Sequence, residues 1–145
     1  MEILRHAHSG LRWLVLLAVL FAIFNALGKM NGSKLFSKKD KKLGLFAMLF
    51  THIQFLTGLV LYFTSAKVVF SSEAMQYSLL RFFLIEHMSL MLLAVTLITI
   101  GYSRAKRATS DAKRFKLTFI FFTIGLIFML VGIPWPFQNY GAGWF

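Results

Sequence analysis

Residues 43–64 read LGLFAMLFTHIQFLTGLVLYFT, a run of 22 residues without Asp, Glu, Lys, Arg or Pro. A helix of that length rises roughly 33 Å, enough to cross ~30 Å of hydrocarbon. Apolar residues fill both faces and never alternate as in a half-buried strand. Three further runs repeat the pattern. The stretches 3–28, 79–103 and 117–137 are each close to the ~20 residues that a spanning helix needs. The run 3–28 is read as a retained helix, because its apolar stretch exceeds a signal peptide's and no small-residue cleavage site follows. The pattern predicts an all-α membrane protein, one domain over 1–145, with four spans in an up-down bundle joined by short loops.

Composition agrees. Of 145 residues 58% are hydrophobic and 14% charged, against about 45–50% and about 25% in soluble domains. A soluble globule of this size could not hide that much apolar surface. Disordered chains are poor in aromatics, whereas this one has 17 Phe, 4 Tyr and 3 Trp. The absence of cysteine excludes disulfides, thiolate metal sites and cysteine nucleophiles. No His-Glu-x-x-His pattern, phosphate-binding glycine loop or Ser-His-Asp set is present, and no catalytic residue is assigned.

The net charge of +11 is concentrated in two places. Lys29, Lys34, Lys38, Lys39, Lys41 and Lys42 lie between the first two spans. Arg104, Lys106, Arg107, Lys113, Arg114 and Lys116 lie between the last two. The positive-inside rule puts both loops in the cytoplasm, so both termini and the 65–78 loop face the other side. Such loops also touch anionic lipid, and no aromatic interleaving points to nucleic acid. Trp13, Tyr62, Tyr77, Trp135, Tyr140 and Trp144 then fall near the outer boundary, where aromatic belts form. The tail 137–145 is expected to lie on the outer surface or on a partner.

Ionisable residues inside spans are costly and therefore informative. They are His8 and Arg12 in the first span, His52 in the second, and Arg81, Glu86 and His87 in the third. At ~1.5 Å per residue, His52 lies near the midplane, His87 ~6 Å outward of it, and His8 higher still. Histidines inside a bundle suit a b-type haem, which needs axial imidazoles and no cysteine. Arg12 and Arg81 stand at the level where propionates would be held. His87 is the expected first ligand. His52 is the preferred partner despite a depth difference of roughly 9 Å, with His8 as the alternative. Two other readings remain open: a different metal, proton or quinone site, or polar groups that only join helices. Glu86 is expected to pair with Arg12 or Arg81.

The words His6-Ala7-His8-Ser9-Gly10-Leu11-Arg12-Trp13, Thr51-His52-Ile53-Gln54 with Thr57-Gly58-Leu59, Glu86-His87 with Ile98-Thr99-Ile100-Gly101, and Ile133-Pro134-Trp135-Pro136-Phe137 carry a resemblance. Over nearly its whole length the chain resembles a family of short bacterial membrane proteins identified as cytochrome b. The resemblance implies a four-helix protein of the bacterial inner membrane that binds haem, with His8, His52 and His87 as the matching histidines. The function expected is electron transfer rather than stand-alone catalysis, with a quinone or other membrane subunits as partners. The alternative is a cofactor-free accessory subunit of a larger membrane complex.

Overall fold

The computed structural model describes residues 2–144; Met1 and Phe145, the two ends of the expected domain and tail, lie outside the described residues. Four long helices account for most of the chain: α1 (Glu2–Leu27), α2 (Lys38–Thr64), α3 (Ser78–Arg107) and α4 (Asp111–Gly132). All four are long and apolar enough to cross a membrane. Short 3-10 turns cover Ser72–Gln76 and Pro136–Gln138, and no strand occurs among the described residues.

The starts of α2 and α4 are set by caps rather than by hydropathy. α2 begins at Lys38, five residues ahead of its apolar run, because Ser37 and Asp40 form a capping box. The Ser37 hydroxyl accepts the Asp40 N–H at 3.3 Å, and the Asp40 carboxylate accepts the Ser37 N–H at 2.8 Å. α4 starts early for the same reason, with Ser110 Oγ accepting the Lys113 N–H at 3.4 Å. It stops at Gly132, short of the expected 137. Ile133 turns extended (φ −70°, ψ 129°), as the residue before a proline prefers.

Within α3, residues Phe82–Glu86 form a π-helical segment, closed by the His87 N–H on the Phe82 carbonyl. On an α-helix, residues three or four apart face each other. The wider π turn bonds residue i to i+5, and it brings Arg81 and Glu86, five apart, into a 2.7 Å ion pair.

The helices run antiparallel in sequence, each packed mainly on its two neighbours around a ring, with α3–α4 and α1–α2 in closest association. Val15, Val19, Ala22, Ala47, Ala94, Ile98, Phe122 and Leu126 form the centre of the core. Small residues let the backbones close up, as in membrane helix pairs: a side chain at Gly125 would meet Ile98 and the Ala94 carbonyl. The outside is apolar too. Phe21, Phe24, Phe63, Leu56, Ile127 and Val131 are all more than half exposed, a belt that suits hydrocarbon rather than water. Connectivity places the two basic loops at one end of the bundle. The start of α1, the 65–77 loop and the C-terminal tail gather at the other.

The tail folds back onto its own bundle. Arg12 donates to the carbonyls of Gly143 (3.2 Å) and Trp144 (2.8 Å), and the Trp13 indole N–H also reaches Trp144 (2.8 Å). Lys67 donates to the carbonyls of Tyr140 and Gly141 at 3.2 and 2.6 Å. The reversal uses left-handed backbone at Asn139 and Gly141, residue types that tolerate it.

Candidate functional site

A cavity of about 370 Å³ lies between the helices at the tail end of the bundle. Every helix contributes: His8 and Arg12 from α1, Thr51 and Gln54 from α2, His87 and Met91 from α3, and Met129 from α4. The loop residue Lys67 and the tail residues Gly141–Gly143 complete the wall. Of the three histidines singled out in the sequence, the structure brings His8 and His87 to this cavity and sets His52 apart from it.

His87 follows the π segment directly. Its Nδ1–H donates to the Gly132 carbonyl at 2.7 Å, a buried group left without an intrahelical donor where α4 ends. Close packing makes the reach possible: a side chain on Gly132 would lie 2.9 Å from Leu90 Cβ. With Nδ1 protonated, Nε2 keeps its lone pair and has no hydrogen bond among the described residues. A backbone carbonyl behind one ring nitrogen is the usual way to orient an imidazole whose other nitrogen binds a metal.

His8 is held by α2. The Thr57 hydroxyl donates to the Gln54 carbonyl at 2.9 Å, so His8 Nδ1–H is the donor in its 3.2 Å contact with Thr57 Oγ1. The Gln54 amide nitrogen donates to the His8 carbonyl at 2.9 Å and to His8 Nε2 at 3.3 Å. Gly58 leaves room for the ring, since a Cβ there would stand 2.8 Å from His8 Cε1.

His52 has a different setting. Its Nδ1–H donates to the Met48 carbonyl at 2.8 Å, and Nε2 stands 3.3 Å from the Thr99 hydroxyl of α3. That hydroxyl itself donates to the Val95 carbonyl at 2.6 Å. With the hydroxyl hydrogen on Val95 and none on Nε2, the His52–Thr99 approach is a polar contact between two helices and not a full hydrogen bond.

The cations separate in the same way. Arg12 is only 7% exposed; its guanidinium lies 5.4 Å from the Trp13 ring centroid and 6.0 Å from that of Trp135. Two bonds to the tail leave its buried Nε without a partner among the described residues, and Gln54 Oε1 is likewise buried and unpaired among them. Arg81 is absent from the cavity wall; it turns to Glu86 on the half-exposed flank of α3. The sequence pointed to two arginines at this level, but only Arg12 faces the cavity. Lys67 carries no signal in the sequence, because a lone loop lysine has no distinguishing pattern. Burial, and secondarily the charge of Arg5, lower its pKa from the ordinary lysine value, and an anion in the cavity would oppose that shift.

No protein-family model, curated protein or solved structure matches this chain. Among the described residues no three His, Cys, Asp or Glu side chains converge as a metal-ion cage. Haem makes a smaller demand, because the porphyrin supplies four nitrogens and the protein one or two axial ligands.

Proposed function

We propose that this chain is a b-type cytochrome of the bacterial inner membrane, holding haem in the cavity between His8 and His87 and passing electrons to or from a quinone or partner subunit. Both termini face away from the cytoplasm in this reading, since twelve of the sixteen cations lie at the other end. The observation that carries it is His87, which shares a cavity wall with His8: one ring nitrogen is tied to the Gly132 carbonyl, and the other has no hydrogen bond among the described residues. The unpartnered Arg12 Nε and Lys67 would hold propionates, while Met91, Met129 and their neighbours offer an apolar wall. Bound haem supplies one-electron chemistry between ferric and ferrous iron. His8 can act as second ligand once the Gln54 amide gives up its 3.3 Å contact with Nε2. His52, whose nitrogens already face Met48 and Thr99, would then stiffen the α2–α3 pair instead of binding iron.

The second reading, a cofactor-free subunit of a larger assembly, draws on His8 and His52, where both ring nitrogens have protein neighbours. An absorption spectrum of protein purified from haem-replete cells, before and after dithionite, separates the two. A Soret band that sharpens and shifts on reduction, and is lost in His87→Ala, supports haem. A flat spectrum favours the subunit.

A further inference from the structure

The end of the bundle that carries the basic loops has its own hollow, about 230 Å³ between the first turns of α2, the last turns of α3 and the first turns of α4. Four cations stand around it: Lys38, Lys41, Lys106 and Arg114. The carboxylate in its wall, Asp40, is already engaged. One oxygen accepts from Asn25 at 2.8 Å and Lys29 at 2.6 Å, and the other takes the Ser37 N–H at 2.8 Å and hydroxyl at 2.6 Å. Lys38, Lys41 and Lys106 have no ion-pair partner among the described residues.

Arg114 is fixed in place. Its Nε donates to the Ala108 carbonyl and its Nη1 to Asp111, each at 3.1 Å, and its guanidinium lies 5.5 Å from the Phe36 ring centroid. Nη2 makes no hydrogen bond among the described residues. Tyr102 adds a phenol to the same wall. Three ammonium groups and an anchored guanidinium around one concavity repel each other until an anion enters. Phosphate suits them, because it accepts from the remaining guanidinium N–H groups and from lysine point charges together. The hollow also lies where the apolar spans give way to polar loops, the level of lipid headgroups.

We propose that this hollow is a phosphate-anion site filled by the headgroup of an anionic phospholipid. The site is independent of haem and lies at the other end of the molecule. The test is lipid retention by the intact, detergent-purified protein titrated with phosphatidylglycerol or phosphatidylcholine and read by native mass spectrometry. Wild type should hold phosphatidylglycerol selectively. Lys41→Gln/Lys106→Gln should lower its apparent affinity about 30-fold, following roughly 1 kcal/mol for each cation near such a surface. Lys34→Gln/Lys113→Gln removes the same charge from the same loops outside the hollow and should change affinity several-fold less. Equal losses in the two double variants would reduce the effect to general charge and overturn the site. Equal retention of the two lipids would overturn it as well. Saturable binding of inorganic phosphate without lipid preference would place the anion in solution and overturn the headgroup assignment.

Discussion

Gly58 decides where the His8 ring can sit. A methyl group there would lie 2.8 Å from His8 Cε1, so Gly58→Ala forces the imidazole off Thr57 and out of its present plane. Overpacking of this kind costs about 1–3 kcal/mol, and here a side chain can absorb part of it. The expected result is a protein that still folds in detergent micelles and, under the proposed His8–His87 ligation of haem, shows a spectrum shifted from low-spin toward high-spin. Unchanged spin state would remove His8 from the ligand pair. His87→Ala is the stronger lesion: it leaves the Gly132 carbonyl without its donor and should abolish the Soret band in reconstitution titrations. Thr99→Val provides the contrast. It removes the hydroxyl near His52 Nε2, outside the cavity, and should leave the spectrum in place while lowering stability by about 1 kcal/mol.

At the scale of elements, the capping box of α2 joins two jobs in one carboxylate. Ser37→Ala removes a cap and should cost about 1 kcal/mol, measured by chemical denaturation in mixed micelles. Asp40→Ala should cost more, about 3 kcal/mol, because it also strands Asn25 and Lys29; the Asp40 side chain is only 3% exposed in that pair. A loss no larger than that of Ser37→Ala would mean that the Lys29 link contributes nothing. Glu86→Gln should cost under about 1 kcal/mol, since both members of the Arg81 pair are roughly two-fifths exposed and solvent screening keeps such pairs weak.

These elements also show what the sequence discloses. Ser37 and Asp40 stand three apart just before an apolar run, so the true start of α2 is written in the chain, although hydropathy alone places it later. The Glu86–Arg81 pair is legible as one of two choices, because both residues lie on one span. The His87–Gly132 bond is not. Its acceptor is a main-chain carbonyl, which has no residue signature, and its geometry depends on how closely α3 and α4 pack. The tail escaped for the same reason, since Arg12 and Lys67 bind carbonyls that any sequence would provide.

For the molecule as a whole, charge and cavity point in opposite directions: the basic loops occupy one end and the His8–His87 cavity the other. Under the proposed reading, the positive-inside rule sets the side from which a haem edge would be approached. A cysteine at Ser72 in otherwise cysteine-free protein should react with a membrane-impermeant maleimide on intact spheroplasts, whereas one at Thr109 should react only after lysis. The reverse pattern would put the cavity on the cytoplasmic side.

The folded-back tail gives the protein an optical signature of its own. Trp13, Trp135 and Trp144 are all the tryptophans in the chain, and their rings form a triangle with centroids 6.2, 6.3 and 6.3 Å apart. Indoles that close couple excitonically, so near-ultraviolet circular dichroism should be dominated by this triangle instead of averaging over the bundle. Intrinsic emission becomes a local gauge of the same corner. A tail that releases its carbonyls from Arg12 would remove the two couplings to Trp144 and leave the Trp13–Trp135 pair, so the coupled band should weaken and change shape while the helical signal stays constant, and attachment of the tail could be followed in unlabelled protein.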